Sequence, residues 1–188
     1  MKKLVAGALA GAVILSCAVA EAQIADFGFR GGYQRMASSD SGGGMVGAFL
    51  RKDWQRVIFV EAAVMYHSEE VDYEFAGVDK TANLEFIPVQ LSLEIFPLKR
   101  NKTICPYLLA GGGLYITRVT AEGEDESKKY KFGWHLGLGA DWVLTEDIFL
   151  EGDFRYVWLN VDTKDRSYSD ALKDFDSWMA SIGLGFRL

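Results

Sequence analysis

The sequence predicts an all-β fold, an eight-stranded antiparallel up-and-down transmembrane β-barrel that follows an N-terminal signal peptide. Three observations predict it. Apolar and polar residues alternate with a period of two over long stretches, which is typical of strands with two different faces. Beyond the N-terminal segment, no apolar run reaches the roughly 20 residues that a membrane-spanning helix needs. Long and short connections alternate along the chain, as they do in barrels that cross a membrane.

The composition fits one folded domain. The chain has 188 residues, of which 49% are hydrophobic and 13% are aromatic. This is enough apolar surface to offset the chain entropy that is lost on folding. The net charge of −6 disfavours a polyanionic partner, so no nucleic acid partner is expected.

The N-terminal segment has the features of an export signal. Two lysines precede an apolar run of about a dozen residues, and small residues then offer cleavage sites. We favour cleavage after Ala22 over cleavage after Ala20, and lipidation at Cys17 is the competing interpretation. The expected domains are a signal peptide at residues 1–22 and a β-barrel domain at residues 23–188.

Eight strands are predicted, in order, at residues 25 to 36, 44 to 52, 57 to 67, 83 to 96, 104 to 116, 131 to 143, 148 to 159 and 177 to 188. The first five follow the alternation less regularly than the last three. In strand 7, Phe154 and Tyr156 lie on one face, and Asp153 and Arg155 lie on the other. Strands 6 and 8 repeat this pattern.

The connections between these strands alternate in length. Long polar segments join strands 1 and 2, 3 and 4, 5 and 6, and 7 and 8, at residues 37–43, 68–82, 117–130 and 160–176. Short turns join the other pairs, at residues 53–56, 97–103 and 144–147. Long loops at one end and short turns at the other are typical of membrane barrels.

The chemistry of the two strand faces predicts which one meets lipid. One face of strands 6 to 8 carries large aromatic and aliphatic side chains, and the other carries small or ionisable ones. Lipid suits the first face, and the crowded interior of a narrow barrel suits the second. The sheet must close, because an open edge in a bilayer would leave backbone groups unpaired.

The predicted interior holds a nearly balanced set of charged side chains: Arg30, Arg51, Arg155, Arg187, Glu61, Glu94, Asp141, Glu151 and Asp153. The polar residues expected among them are Gln34, Gln90, Ser92 and His135. Buried charges persist when they are paired, and eight strands leave room for side chains and little else. We therefore expect a structural salt-bridged network without a wide pore. A proton or small-ion path is the alternative.

No catalytic site, cofactor or metal site is predicted. A hydrolytic site needs a nucleophile, a base and an orienting acid within reach of one another. His135 is expected on the lumen face without a serine beside it, and His67 is expected at the rim. Ser167 and Ser169, in the last connection, are the candidates for a composite site. We interpret both histidines as structural.

The C-terminal residues resemble the assembly signal of bacterial outer-membrane barrels, in which a polar residue, a glycine and two aromatic residues recur at fixed spacing. The matching positions are Ser181, Gly183, Phe186 and Leu188. Leu188 departs from the pattern, which has an aromatic residue at the end. Leu84–Val89 and Cys105–Gly112 are similar to small bacterial "outer membrane protein beta-barrel domain" sequences, and the resemblance spans the whole mature chain.

The resemblance implies a bacterial outer-membrane location with both termini in the periplasm. It implies outer-membrane lipids and lipopolysaccharide as the surroundings of the barrel. It also implies recognition of the C-terminal strand by the barrel-assembly machinery, and a monomer. The long connections, which are rich in acidic residues, would then be extracellular.

Two functional classes follow from this interpretation. The one that the sequence favours is a non-enzymatic barrel with an envelope-structural or surface-interaction role. The other is a narrow transport barrel for small hydrophobic molecules or ions. It would need a hydrophobic trough near the extracellular end, where Met65, Phe75 and Tyr115 are expected, and the predicted polar lumen argues against it. A soluble periplasmic lipocalin-like carrier would require the two faces to be inverted.

Overall fold

The computed structural model describes residues 25–36, 42–75, 78–98, 103–121, 127–159 and 176–188, so the predicted signal peptide lies outside the described residues. The described chain forms eight strands: β1 Asp26–Met36, β2 Gly42–Gln55, β3 Ile58–Phe75, β4 Val78–Ile95, β5 Ile104–Ala121, β6 Ser127–Val143, β7 Ile148–Leu159 and β8 Ser177–Arg187. Among these residues, no helix has the length and hydropathy needed to span a bilayer.

The sheet closes on itself. Each strand pairs antiparallel with the next, and β8 pairs with β1. When the pairing is followed once around the barrel from Asp26, it returns to β1 at Met36, ten residues further along. Such a stagger accompanies a strand tilt of about 40°. The predicted fold class, a closed antiparallel barrel of eight strands, is confirmed.

The two ends of the barrel differ. We call the end with the β2–β3, β4–β5 and β6–β7 connections the turn end, and the opposite end the loop end. The two ends of the barrel domain meet at the turn end, where the Leu188 amide donates to the Ala25 carbonyl at 2.9 Å. Strand boundaries at the turn end lie within three residues of the predicted ones, the largest difference being at the end of β2, which continues to Gln55.

The predicted boundaries of the middle strands were wrong at the loop end. Residues 68–75 and 78–82 were expected in a loop, but they pair as a continuation of β3 and β4, up to Phe75 opposite Val78. Residues 117–121 and 127–130 likewise extend β5 and β6. The alternation that marks a strand in lipid is lost there, because both faces of a strand in water tolerate polar side chains.

Burial alternates along each strand. Large apolar side chains are exposed on the outer face, among them Phe29, Leu91, Leu108, Trp134, Leu138, Trp142 and Ile182. Charged side chains lie on the inner face. Large apolar side chains lie there too, although only small or ionisable ones were expected. Glycines make room for them: a Cβ at Gly185 would overlap the ring of Phe149, and one at Gly139 would overlap Tyr107.

Candidate functional site

The lumen contains a charged layer toward the turn end, and Arg51 lies at its centre. Its guanidinium forms ion pairs with Glu94 at 2.6 Å, Glu151 at 2.8 Å and Asp141 at 3.2 Å. Asp26 lies further away, at 3.8 Å. Glu61 of β3 also lies at 3.8 Å. One cation therefore holds together carboxylates from five other strands, β1, β3, β4, β6 and β7.

Aromatic rings surround the same guanidinium. Its central carbon lies 5.0 to 5.8 Å from the ring centroids of four residues, Phe49, Phe96, Tyr107 and Phe149. At these distances a ring face attracts a cation. The rings also exclude water from the ion pairs, which strengthens each pair.

A second part of the charged layer is built around Glu61. Its carboxylate accepts hydrogen bonds from Arg30 and, at 2.8 Å, from Arg155. Arg155 also donates to Asp153 at 2.8 Å, and Arg30 reaches Glu151 at 3.0 Å. Because Glu151 contacts Arg51 as well, the two parts form one network.

The network is rich in acid. Three arginines and six carboxylates are buried among the described residues, the carboxylates being Asp26, Glu61, Glu94, Asp141, Glu151 and Asp153. Asp26 was not foreseen. Arg187, which was expected here, is partly exposed and lies with its guanidinium 5.7 Å from the ring of Phe149. The buried members are at most 7% exposed, so the network fills the cross-section at the turn end.

A hydrogen-bonded layer follows toward the loop end. The Ser92 hydroxyl lies 2.8 Å from His135 Nε2, and the Tyr115 hydroxyl lies 3.4 Å from Nδ1. Gln90 donates to the Tyr115 hydroxyl at 2.9 Å, and Arg155 donates to Gln90 at 3.0 Å. Within β6 the residues two positions from His135 are glycines, Gly133 and Gly137, and the serine that contacts it comes from β4.

The serine and histidine do not form a complete hydrolytic site. The group at Nδ1 is a phenol, where a carboxylate would orient and stabilise the charged imidazole. Both side chains are only 2% exposed. Ser167 and Ser169 lie outside the described residues. Within the described part of the chain, no group of three or more His, Cys, Asp or Glu side chains is arranged to hold a metal ion.

An apolar cluster occupies the lumen at the loop end. We call it the loop-end cluster; it consists of Met45, Met65, Phe86, Tyr115, Val157, Leu159 and Met179. All seven are at most 8% exposed. His67 lies next to it, with Nδ1 3.0 Å from the Gly44 carbonyl, and Gln34 donates to Ser177 at 3.4 Å. Tyr115 and Met65 were expected at this end, whereas Phe75 has a side chain outside the described part.

The hydrogen-bond ladder between β3 and β4 is interrupted beside this cluster, while the barrel stays closed. The β3–β4 pairing runs up to Val64 opposite Val89 and resumes at His67 opposite Phe86, in the same register. Two positions are skipped, which we call the wall break: Met65 and Tyr66 on β3, and Ile87 and Pro88 on β4. Proline has no N–H to donate, which explains the lost pairing. On its other side Pro88 still pairs with Tyr115 of β5.

The predicted assembly-signal residues lie in or directly after β8, the closing strand. Gly183 faces the lumen, where a Cβ would come close to the Phe29 carbonyl and Arg30. Phe186 stacks on Phe27 of β1, with ring centroids 5.1 Å apart. Ser181 pairs with Gly32, and Leu188 is exposed at the turn end.

The wall break was not located from the sequence, and of the loop-end cluster only Met65 and Tyr115 were named as residues of this end. Pro88 lies in a segment that was noted only for its resemblance, and Phe86, Val157 and Met179 were not singled out. One proline inside a predicted strand is the signal that could have located the break, because proline is rare in a strand with neighbours on both sides, where it cannot donate to the ladder.

Comparison with known proteins identifies the family. Residues 7–187 match the family described as "Outer membrane protein beta-barrel domain". No curated protein is significantly similar in sequence.

Solved structures share the fold at low identity. Neisserial surface protein A has a TM-score of 0.62 at 14% identity, covering 88% of this chain and 96% of its own. OprG of Pseudomonas aeruginosa has a TM-score of 0.60 at 17% identity, covering 89% and 97%. The attachment invasion locus protein Ail of Yersinia pestis has a TM-score of 0.57 at 12% identity, covering 88% and 97%. The chain belongs to the outer membrane protein beta-barrel domain family, whose location is the bacterial outer membrane.

Proposed function

We propose that this chain is a non-enzymatic outer-membrane barrel that takes up small hydrophobic molecules at the loop end and releases them sideways into the membrane through the wall break. One observation carries the proposal: Met65 belongs both to the loop-end cluster and to the break. The apolar part of the lumen thus borders the only β3–β4 positions, among those described, where the ladder is skipped.

The rest of the lumen supports a sideways exit. The charged layer fills the turn end with buried ion pairs, and an apolar molecule gains nothing by entering it. Three of the seven side chains in the loop-end cluster are methionines. Methionine side chains are flexible and repack easily, so they can give way to an apolar guest.

The proposal is tested by uptake of an apolar fluorescent probe, N-phenylnaphthylamine, into bacterial cells that express the chain. Lipopolysaccharide excludes the probe from the membrane interior, so uptake reports a protein route. Pro88→Ala gives β4 an N–H that can pair with β3, and we expect uptake to fall to the level of cells without the chain. Pro106→Ala, in β5 where pairing with Ala140 is intact, is the matched control. Equal uptake in cells with and without the chain would contradict the proposal.

A surface-interaction role is a second candidate. β3 to β6 continue at the loop end beyond the last β2 and β7 partners, His67 and Gly133. The four strands therefore form a small projecting sheet, in which β3 and β6 are the edge strands among the described residues. Ail is in complex with a heparin analogue, but this chain carries a net charge of −6, which disfavours a polyanion. Binding of intact cells to an immobilised basic polymer and to an immobilised acidic polymer shows whether the surface prefers a positively or a negatively charged partner.

The location and partners expected from the sequence complete the proposal. The turn end and both termini would face the periplasm, after removal of the signal peptide. The outer face would contact lipid and lipopolysaccharide, and β8 would be recognised by the barrel-assembly machinery through Ser181, Gly183, Phe186 and Leu188. The barrel closes within one chain, which supports a monomer.

A further inference from the structure

A small polar cluster lies on the outer wall near the loop end. The Tyr66 hydroxyl donates to Glu85 Oε1 at 3.1 Å, and Arg118 donates to Glu85 Oε2 at 3.1 Å. The side chain of Glu85 is 24% exposed and that of Arg118 is 34% exposed. We call these three residues the outer-wall cluster. They come from three adjacent strands, β3, β4 and β5.

The outer-wall cluster lies directly at the wall break. Tyr66 occupies one of the two skipped positions of β3, and Glu85 is the outward residue of β4 where the ladder has resumed, opposite Ser68. The tyrosine therefore crosses from β3 to β4 on the outside, at the level where backbone pairing is missing. Met65, its neighbour in the chain, covers the break from the lumen side, where it is 2% exposed.

Arg118 acts on Tyr66 through Glu85. It is the register partner of Glu85 on β5, and its guanidinium holds the second carboxylate oxygen. With one oxygen fixed by Arg118, the other is oriented toward the tyrosine. A charged acceptor also makes the tyrosine hydrogen bond stronger than one to a neutral group.

We propose that the outer-wall cluster keeps the wall break closed, with the Tyr66–Glu85 hydrogen bond as the direct link between β3 and β4 and Arg118 as a positioning residue. The inference rests on the proposed function, since it assigns to these residues the control of the sideways exit. The link substitutes for the pairing that Pro88 removes. Its loss lets β3 and β4 separate locally while both strands stay paired to their other neighbours, β2 and β5.

The test is amide hydrogen exchange of the purified barrel in lipid nanodiscs, read by mass spectrometry over the segments that contain Met65 and Ile87. Tyr66→Phe removes the hydroxyl and keeps the ring. We expect exchange at the break to become about fivefold faster, the factor that the net loss of one hydrogen bond gives. Exchange in β6 and β7 should not change.

A matched control exists on the opposite wall. The Tyr156 hydroxyl donates to Asp176 at 3.3 Å, and there the pairing of β7 with β6 and with β8 is continuous through Tyr156. Tyr156→Phe should leave the exchange of β3 and β4 unchanged. The positioning role of Arg118 is tested by rescue: Arg118→Met should accelerate exchange at the break as Tyr66→Phe does, and Arg118→Lys should restore slow exchange.

The outcomes separate this inference from the proposed function. Unchanged exchange in Tyr66→Phe, or equal acceleration in Tyr156→Phe, would overturn the role of the cluster even if probe uptake depends on Pro88. Faster exchange confined to the break would support the cluster even if no probe uptake is found. If both the proposed function and the role of the outer-wall cluster are correct, Tyr66→Phe should also raise the rate of probe uptake.

Discussion

At the scale of single residues, Arg51 illustrates how the barrel stores charge in its interior. Its guanidinium pairs with carboxylates of five strands and lies among four aromatic rings. A buried ion of this kind is costly to desolvate and is tolerated because its partners are in place. Removing the cation leaves six buried carboxylates with two arginines, Arg30 and Arg155, to neutralise them.

We therefore predict that Arg51→Met lowers the free energy of unfolding by about 3 to 5 kcal/mol, the usual effect of breaking a buried charge network from one side. Arg51→Lys should retain only part of the stability that Arg51→Met loses, because an ammonium group cannot reproduce the forked contacts of a guanidinium. Urea unfolding in lipid vesicles, followed by tryptophan fluorescence, measures the change. Lys52→Met, at the neighbouring exposed position, serves as the control and should alter stability by less than about 1 kcal/mol. Similar losses in both variants would contradict the network's role.

The tight packing around glycines on the lumen face leads to a second prediction at the scale of single residues. Gly185 has no room for a Cβ beside the Phe149 ring, whereas Gly152, on the outer face of β7, has no atom within 4 Å of such a Cβ. Overpacking of this kind typically costs about 1 to 3 kcal/mol. Gly185→Ala should therefore destabilise the barrel in the same unfolding assay, and Gly152→Ala should not. Equal stability of the two variants would show that the lumen is less tightly packed than we describe.

At the scale of elements, strand length separates the part in lipid from the part in water. β3, β4 and β5 each have 18 residues. At about 3.3 Å per residue and a tilt of about 40°, such a strand rises about 45 Å, against an apolar band of about 25 Å. The β3–β4 hairpin therefore extends well beyond the band.

It follows that the outer part of this hairpin is dispensable for folding. We predict that replacing residues 71–82, which pair from Val71 opposite Ala82 up to the hairpin end, with an Asn-Gly turn leaves a barrel that runs as a compact form in unboiled gel samples. The shortened hairpin retains all three residues of the outer-wall cluster. A variant that gives only unfolded or aggregated material would mean that the projecting strands are needed to close the sheet.

The sequence predicted the number of strands, their order and the turn-end boundaries because alternation is strict wherever one face meets lipid. It did not predict the loop-end extensions of β3 to β6, where that constraint ends. Most of the charged lumen residues were identifiable from their position opposite an apolar face, which is aliphatic for Glu61 and aromatic for Arg155. Met179 was placed on the inner face by the alternation of strand 8, but Phe86 was not identified, because an inward apolar residue carries no signature that separates it from an outward one.

At the scale of the whole molecule, the lumen holds a charged layer packed among aromatic rings toward the turn end and an apolar cluster at the loop end. The charged layer is filled by buried ion pairs, as in small barrels whose interior is occupied by side chains. The apolar cluster borders the wall break. Together they favour entry at one end and exit through the side over passage from end to end.

A filled turn end predicts that the purified barrel shows no stepwise single-channel conductance in planar bilayers. The expected record is a flat baseline under conditions in which a wide porin, added as the positive control, gives clear steps. Regular steps from this chain would show that ions pass the Arg51 network. They would support a proton or small-ion path and contradict a sealed charged layer.

The most direct test of the account is photolabelling of the lumen with an apolar diazirine probe. The probe is added to the barrel in lipid nanodiscs, activated by light, and its attachment sites are mapped by mass spectrometry. Lipid-facing residues such as Leu91 and Leu138 are labelled in any case and serve as the internal reference. We predict additional labels on the inward residues Met45, Met65 and Met179, reduced by Pro88→Ala. Labels confined to the outer face in both proteins would contradict entry of apolar molecules into the barrel.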